Sequence, residues 1–279
     1  MLDSRSDLWA VVLAGGAGDP QTLLRHTLDR VARLIPPSRT VAVTQASHAD
    51  HVAGELAGHA EVTVLAQPSD RGTAAGVLLA AHWIRSRAPG AVIAVFPTNH
   101  FIVEEAIFMS HVAAAGGYVR DHPEWLLLLG VHPTEPAPDH GWIEPGEPIG
   151  WTGCGSVVHR IRAFHERPPA ALARRLHGHA LCNTFVFTAT ATALVDAGRA
   201  CLPLLHDRLT RFDLFAGTRY EPLALQQAYL FAPTADFTRA ILASSEVPRA
   251  VAEIPALTGW DLGTPERVAR SVGAEGRHE

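Results

Sequence analysis

Short aliphatic and β-branched runs alternate with amphipathic segments through the first half of the chain. The runs predict strands at residues 8–13, 40–44, 62–65, 92–96 and 126–131. The segments between them predict helices at residues 23–34, 48–56, 73–85 and 104–118. Repeated β-α units of this length are typical of an α/β protein, with a mostly parallel sheet and helices on both of its faces.

The pattern becomes less regular after residue 131. Strands are predicted at residues 157–164, 184–188 and 249–254, and helices at residues 169–176 and 189–200. A turn at residues 259–263 leads into a last helix from Pro265, for which Thr264 is a suitable cap. The chain has no internal repeat, low-complexity segment or clear linker, so we expect one domain over residues 1–279.

Composition excludes several classes of protein. Only 18% of the 279 residues are charged, the net charge is −5, and there is no basic run, so we expect no nucleic-acid partner. Cys154, Cys182 and Cys201 lack the spacing of a zinc site or a disulfide framework. The longest apolar run, residues 125–131, is too short to span a bilayer, and the first residues do not resemble a signal peptide. We expect a soluble, cytoplasmic protein with no membrane partner.

The chain contains no lysine, and all 23 basic residues are arginine. Arginine can replace lysine at many surface positions, but not where the chemistry needs a compact and tunable charge. A mechanism that requires lysine is therefore excluded in its usual form, and so is a P-loop.

Four candidate sites follow predicted strands, where ligands bind in a doubly wound sheet. Residues 14–18 have little side-chain bulk and suit backbone contacts with phosphate, although a tight turn would have the same composition. They make a poor dinucleotide fingerprint, because Gln21 stands where a third small residue is needed. The other candidates are residues 67–73, residues 96–100, and a set made of residues 141–143, 164–168 and 182–184.

In this order, the elements resemble the motifs of the sugar-1-phosphate nucleotidyltransferases, most closely the mannose-1-phosphate guanylyltransferases. The elements are Leu13-Ala14-Gly15-Gly16-x-Gly18, Gln67-Pro68-x-x-Arg71-Gly72-Thr73-Ala74, Phe96-Pro97-Thr98-Asn99-His100, Gly130-Val131-x-Pro133-Thr134-x-Pro136 with Gly141-Trp142-Ile143, Phe164-x-Glu166-Arg167-Pro168, Asn183-Thr184 and Trp260-Asp261-Leu262-Gly263. The resemblance extends over nearly the whole chain.

The resemblance implies a Rossmann-like α/β/α fold with a nucleotide-binding half, residues 1–131, and a sugar-binding half, residues 132–279. It implies that a sugar 1-phosphate attacks the α-phosphate of a nucleoside triphosphate, with Mg²⁺ as cofactor and pyrophosphate as leaving group. The residues implied to bind nucleotide are Leu13, Ala14, Gly15, Gly16, Gly18, Gln67, Arg71, Gly72, Thr73 and His100. Those implied to bind sugar are Gly141, Trp142, Glu166, Asn183 and Thr184. The catalytic positions are Asn99, Arg167 and Asp261, and Asp261 is also the implied metal ligand.

The chain departs from the family pattern at three places. In the family, a longer loop with an arginine and a Pro-Lys pair follows the glycines, whereas here residues 19–22 lead directly into the predicted helix. Asn99 stands where the family has a metal-binding aspartate, and Arg167 where it has a lysine that contacts the sugar phosphate. Loss of a transition-state arginine costs roughly 10³ to 10⁵ in rate, so these departures argue against fast catalysis.

Three interpretations follow. We favour a member that binds a sugar nucleotide such as GDP-mannose, or a sugar phosphate, with catalysis lost or strongly reduced. Such a member would be a sensor or the partner of a second copy or of a catalytic paralogue. The second interpretation is an active guanylyltransferase that uses GTP, with Arg25, Arg71, Arg167 or a partner chain replacing the lost cations. The third, an NAD-dependent oxidoreductase, is disfavoured because the third glycine and the ribose-binding acid are missing.

Overall fold

The computed structural model describes residues 7–15, 21–56, 58–100, 102–136 and 138–256. The strands are β1 (Leu8–Leu13), β2 (Thr40–Gln45), β3 (Thr63–Gln67), β4 (Val92–Pro97), β5 (Leu126–Val131), β6 (Gly141–Trp151), β7 (Val157–Glu166), β8 (Leu181–Thr190) and β9 (Arg249–Ile254). The helices are α1 (Gln21–Ala32), α2 (Ala49–Glu55), α3 (Thr73–Arg87), α4 (Glu105–Asp121), α5 (Ala170–Leu176), α6 (Ala191–Cys201), α7 (Pro203–Asp213) and α8 (Glu221–Leu230). A π-helical turn spans Thr238–Leu242. No helix among the described residues is long and apolar enough to cross a membrane.

The described strands form one sheet in the order β3-β2-β1-β4-β8-β5-β9-β7-β6. Strands β1 to β4 are parallel, and β5 and β9 also pair in parallel. Strand β8 lies antiparallel between β4 and β5, and β7 lies antiparallel to both β6 and β9. The predicted α/β fold, with strands mostly parallel in direction, is confirmed. The sheet contains strands from both proposed halves of the chain, and the division at residue 131 stays a prediction.

Two hydrophobic cores cover the two faces of the sheet. Val11 of β1 packs in one core with residues of α3, α6 and α7, whereas Ala10 and Val12 lie in the other core with residues of α1 and α4. Successive residues of a strand point to opposite faces, so an uninterrupted apolar strand indicates cover on both sides. Helix α3 is buried from Ala74 to Ile84, because it lies between the sheet and the helices α6 and α7.

The hydrophobic pattern did not predict β6, α7 or α8. Strand β6 contains Pro145 and Pro148, and its pairing with β7 changes register near each of them. Helix α8 carries exposed Leu223 and Leu230, so it lacks the one-sided apolar stripe that marks a surface helix. Strand β8 also extends past the predicted residues 184–188 at both ends. The predicted turn at residues 259–263 and the helix from Pro265 lie outside the described residues.

Gly130 of β5 is expected to be necessary for close packing of the sheet. A Cβ added there would lie 2.8 Å from Val251 Cγ2 and 3.0 Å from Leu181 Cβ. We expect Gly130→Val to lower the free energy of unfolding by about 1–3 kcal/mol in urea titrations, because overpacking strains the core. Gly54→Ala in α2 is the control, since no atom lies within 4 Å of its added Cβ and alanine favours a helix. Equal unfolding free energies for Gly130→Val and the wild type would contradict this packing.

Candidate active site

The parallel strands end at one cleft of about 540 Å³. Leu13, Gln45, Gln67 and Pro97, the last residues of β1, β2, β3 and β4, all line it. In sheets of this kind, loops and helix N-termini converge at the carboxyl ends of the strands, and ligands bind there.

Strands β6, β7 and β8 supply the opposite wall of the cleft. Gly141 of β6 pairs with Glu166 of β7, and the next residue, Trp142, pairs with Cys182 of β8. A Cβ at Gly141 would lie 3.0 Å from Glu166 Oε2 and 3.4 Å from Asn183 Cβ. Glycine at this position therefore allows polar side chains of β7 and β8 to come together at the cleft.

Most of the predicted site residues line this cleft. They are Leu13, Gly15, Gln67, Gly72, Thr73, Asn99, His100, Gly141, Glu166, Arg167, Asn183 and Thr184. Gly16, Gly18 and Asp261 lie outside the described residues. The structure therefore brings residues from both ends of the sheet to one place, and their roles in binding or catalysis stay predictions.

Two of the predicted residues are buried away from the cleft. Trp142, a predicted sugar ligand, is 0% exposed and packs in the same core as Ala173 and Leu176 of α5. Successive residues of a strand point to opposite faces, so Trp142 faces the core when Gly141 faces the cleft. Ala14, a predicted nucleotide ligand, is also buried, and its N–H donates to the Val43 carbonyl at 2.8 Å.

Arg71, predicted to bind nucleotide, is turned toward α8 and does not line the cleft. Its Nε donates to the Tyr229 carbonyl at 3.2 Å, and its Nη2 donates to the Leu230 carbonyl at 3.4 Å. A cation at the C-terminus of a helix satisfies its last carbonyls and is favoured by the helix dipole. Arg71 therefore holds α8 in place, a role that competes with neutralising a phosphate.

The loop that contains Gly72 is tied to the segment after α8. Gly72 has a φ of +77°, and an added Cβ would lie 2.3 Å from the Ala235 carbonyl oxygen. The Ala235 N–H donates to the Arg71 carbonyl at 3.0 Å, and the Ala235 carbonyl accepts the Ala74 N–H at 3.1 Å. Only glycine fits both the positive φ and this close approach.

Two N–H groups at the N-terminus of α3 donate to acceptors within the chain. Asp70 Oδ1 accepts the Gly72 N–H at 2.8 Å, and the Ala235 carbonyl accepts the Ala74 N–H. The Thr73 hydroxyl donates to Asp236 Oδ2 at 3.3 Å. These acceptors occupy positions at which a helix N-terminus would otherwise attract phosphate. Asp236 was missed in the sequence, because only the fold brings it to a loop more than 160 residues away.

Gln67 is oriented by a buried tyrosine. The Tyr229 hydroxyl donates to Gln67 Oε1 at 3.0 Å and lies 3.4 Å from the Ala75 carbonyl. Burial raises the pKa of Tyr229, so the hydroxyl stays protonated and remains a donor. Because Oε1 accepts this hydrogen bond, the amide nitrogen is the end of Gln67 that can donate to a ligand.

A strained bulge in β8 shapes the second wall. Among the described residues, Phe185 (φ 59°) and Arg167 (φ 46°) are the non-glycine residues with positive φ, and both line the cleft. Asn183 Oδ1 accepts the Phe185 N–H at 3.0 Å, and the Thr184 hydroxyl donates to the Leu129 carbonyl at 2.8 Å. Strained backbone of this kind is concentrated at ligand sites. The sequence did not indicate a role for Phe185, because the residues around it have the pattern of a regular strand.

A buried arginine donates a hydrogen bond to the loop after β4. His100 is 3% exposed, and its carbonyl accepts a hydrogen bond from Arg30 Nη1 at 3.3 Å. Burial lowers the pKa of Arg30 to about 10, and the nearby Glu105 carboxylate opposes part of this shift. Arg30 is 1% exposed, so it stabilises the loop and does not reach a ligand in the cleft.

Carboxylates outnumber cations in the described lining of the cleft. Asp70, Asp139, Glu166 and Asp236 line it together with a single arginine, Arg167. Arg167 Nε lies 3.7 Å from Glu166 Oε1, and its side chain is 71% exposed. Burial raises the pKa of Glu166, and the Arg167 charge opposes this shift. The described walls therefore oppose the high negative charge of a triphosphate.

The fold and the cleft define an α/β protein with a candidate ligand site at the carboxyl edge of a central sheet. The sequence profile of the family "Nucleotidyl transferase" matches residues 16–197, and the chain belongs to this family, as the motifs implied.

Two curated proteins are similar to the chain over part of their length. It is 29% identical over 186 residues to a mannose-1-phosphate guanylyltransferase of Sinorhizobium fredii, an alignment that covers 63% of the chain and 34% of that protein. It is 24% identical over 224 residues to the xanthan biosynthesis protein XanB of Xanthomonas campestris, covering 72% and 46%. The chain thus spans between a third and a half of the length of these relatives.

Solved structures share the fold. The mannose-1-phosphate geranyltransferase of Thermus thermophilus superposes with a TM-score of 0.74 at 23% identity, covering 88% of the chain and 74% of that protein. The mannose-6-phosphate isomerase of Helicobacter pylori superposes with a TM-score of 0.71 at 16% identity, covering 89% and 97%. At these identities the similarity establishes the fold alone.

Phe185 provides a test of the bulge. Phe185→Gly and Phe185→Ala both remove the ring, but only glycine adopts the positive φ without cost. We expect the glycine variant to be more stable than the alanine variant by about 1 kcal/mol in urea titrations. At Trp151, an exposed position in β6, the order should reverse, because glycine weakens a regular strand. A more stable alanine variant at both positions would contradict the strained bulge.

Glu166 provides a pH-dependent test. The pKa of Glu166 is raised in the folded state, so folding favours the protonated side chain. Above the folded pKa the side chain is ionised, and this charge lowers the free energy of unfolding. We expect Glu166→Gln to be more stable than the wild type at neutral pH. The difference should disappear as the pH falls below the ordinary glutamate pKa, because both states are then protonated. Urea titrations at several pH values give the measurement, and a difference that does not change with pH would contradict the assignment.

Proposed function

We propose that this chain binds a nucleotide sugar or a sugar phosphate in the cleft and transfers nucleotidyl groups slowly or not at all. The observation that carries the proposal is the charge of the site. Four carboxylates and one arginine line the described cleft, and the sequence between β1 and α1 contains no basic residue.

The ligand class is supported by family membership and by the shape and polarity of the cleft. Ligand pockets usually measure about 300–1,000 Å³, and a cleft of about 540 Å³ suits one small molecule. Gln67 and Asn183 offer amide groups on opposite walls, which suits hydroxyl and base edges. The relative from Sinorhizobium fredii is named for mannose 1-phosphate and a guanylyl group, so GDP-mannose is the first ligand to test.

The loss of activity follows from the needs of phosphoryl-type displacement. When a sugar phosphate attacks the α-phosphate, negative charge gathers on the oxygens and on the leaving pyrophosphate, and cations must lie close by. Arg71 is bound to the end of α8, Arg30 is buried, and Arg25 is exposed on α1 outside the described lining. A missing cation of this type lowers the rate by roughly 10³ to 10⁵.

The residues present are a poor fit for Mg²⁺. The residues that the structure describes contain no group of three acidic, histidine or cysteine side chains that could hold a metal ion. Asn99 offers a neutral oxygen where a divalent ion prefers a carboxylate, and Asp261 lies outside the described part of the chain.

An active guanylyltransferase is the second candidate. Arg167 lines the cleft and keeps the positive charge that the family pattern places there as lysine. Its fork-shaped guanidinium can bind a phosphate through two hydrogen bonds. One exposed arginine paired with Glu166 offsets only part of the missing charge, so we rank this function second.

Binding and turnover are tested together on the purified chain. We expect calorimetry to show binding of GDP-mannose. We expect pyrophosphate release from GTP, mannose 1-phosphate and Mg²⁺ to proceed at about 10⁻² s⁻¹ or slower, or to stay at the level without protein. Gln67→Glu adds one charge inside the cleft while its carboxylate can still accept the Tyr229 hydroxyl, so GDP-mannose should bind about tenfold more weakly. Gln226→Glu, exposed on α8, is the matched control and should leave affinity unchanged.

Two results would contradict the proposal. Pyrophosphate release in proportion to protein concentration, at about 1–10 s⁻¹, would establish the second candidate. Failure to bind any of GDP-mannose, UDP-glucose, a dTDP-sugar, a CMP-sugar or mannose 1-phosphate at millimolar concentration would leave the cleft without the proposed ligand class.

A further inference from the structure

We propose that the groove between α7 and α8 binds an acidic, amphipathic helix of a partner protein. The groove measures about 320 Å³ and lies outside the candidate active site. Its apolar lining includes Phe215, Tyr220, Leu223 and Phe231, and Arg208 and Arg211 are part of the same lining. Nothing in the proposed function uses this surface.

The apolar side chains of the groove are unusually exposed. Phe231 is 70% exposed, Leu223 56%, Tyr220 47% and Phe215 42%. Single exposed apolar residues are ordinary, but several that line one concavity mark an interaction site. Aromatic side chains in such a concavity are also the groups that most often dominate binding energy at protein interfaces.

The groove rests on a rigid base. Asp213 Oδ2 at the end of α7 lies 2.7 Å from His82 Nδ1 and 2.9 Å from Arg85 Nη2, both on α3. Glu221 at the start of α8 accepts hydrogen bonds from Trp83 and Arg87 of α3, each at 3.1 Å. The two helices are therefore fixed by α3, and the groove between them is preformed for a ligand.

The charges at the groove select the partner. The described lining contains two arginines and no carboxylate. Arg211 Nη2 lies 3.1 Å from Asp207 Oδ2 on the same helix, but an exposed ion pair of this kind contributes little and can exchange for a partner's carboxylate. The Arg208 guanidinium lies 5.6 Å from the Phe231 ring centre, and Arg219 lies 4.7 Å from the Tyr220 ring centre. An apolar floor with cations beside it is complementary to a segment with one apolar stripe and acidic neighbours. A channel between two helices accommodates such a segment as a helix, with anchors at i, i+3 or i+4 and i+7.

Two other occupants fit less well. In a twofold contact, the same patch is used on both copies, so two grooves that carry arginines would face each other. An anionic membrane would attract these arginines, but the net charge of −5 opposes approach of the whole chain. Both remain outcomes that the experiment distinguishes from an acidic helix.

The test uses a displayed library of helical peptides with random residues, selected on the immobilised full chain. Peptides that also bind Leu223→Asp are removed, because this exposed substitution puts a carboxylate into the groove. We expect the enriched peptides to share an apolar stripe and a net negative charge. No enrichment, or enrichment of neutral or basic peptides, would overturn the proposal.

An enriched peptide carrying a fluorophore then gives affinities by anisotropy. We expect Leu223→Asp, and the pair Arg208→Glu with Arg211→Glu, each to weaken binding by about tenfold or more. Leu204→Asp is the matched control, since Leu204 is 71% exposed on α7 outside the described groove lining. Circular dichroism verifies that each variant is folded. Equal binding by the Arg208→Glu and Arg211→Glu pair and by Leu204→Asp would overturn the proposal, since neither variant is used in the selection.

Two further measurements identify a different occupant. Sedimentation velocity that detects a dimer lost in Leu223→Asp but kept in Leu204→Asp would assign the groove to a second copy. Cosedimentation with phosphatidylserine vesicles that shows the same pattern would assign it to a membrane. Either result would overturn an acidic helix as the occupant. A protein that is monomeric and does not cosediment with the vesicles supports the acidic helix.

Discussion

The cleft depends on the close approach of Gly72 to the Ala235 carbonyl. This contact joins the loop after β3 to the segment after α8. It leaves no room for a side chain, because a Cβ at Gly72 would lie 2.3 Å from the Ala235 carbonyl oxygen. It places Asp236 beside Thr73, and the same pair of segments brings Arg71 to the end of α8 and Tyr229 to Gln67. One wall of the site is therefore built from chain segments more than 150 residues apart, which hydrogen bonds within the chain join.

The contacts that form this wall also engage its arginine, Arg71, in hydrogen bonds within the chain. Arg71 satisfies the carbonyls that end α8, while Asp70 and Asp236 satisfy donors at the start of α3. The groups that could neutralise a triphosphate are therefore already bonded within the chain. The carboxylates beside them are negatively charged and repel phosphate. Neutral hydrogen-bonding groups such as Gln67 and Asn183 remain along the cleft. Such a composition opposes a triphosphate more strongly than the diphosphate bridge of a nucleotide sugar, which carries fewer negative charges.

The sequence predicted the parallel core and much of the cleft lining, because both follow from local patterns. Apolar runs marked β1, β4, β5 and β9, and the polar residues at the ends of β3 and β4 converge where parallel strands end. Local patterns could not show that Arg71 turns to α8 or that Trp142 faces the core, because both depend on packing between distant segments. The strained Phe185 and the long-range contact of Asp236 were hidden for the same reason.

The most direct test of this account is a single-turnover reaction with the chain in excess over GTP labelled at the α-phosphate. Mannose 1-phosphate and Mg²⁺ are supplied, and label that moves into GDP-mannose is followed for a day. A typical turnover of about 10 s⁻¹, reduced by roughly 10³ to 10⁵ through the loss of a transition-state cation, gives about 10⁻² to 10⁻⁴ s⁻¹. We therefore expect label transfer over minutes to hours, or none. Transfer within seconds would show that the cleft is an active nucleotidyltransferase site despite its charge.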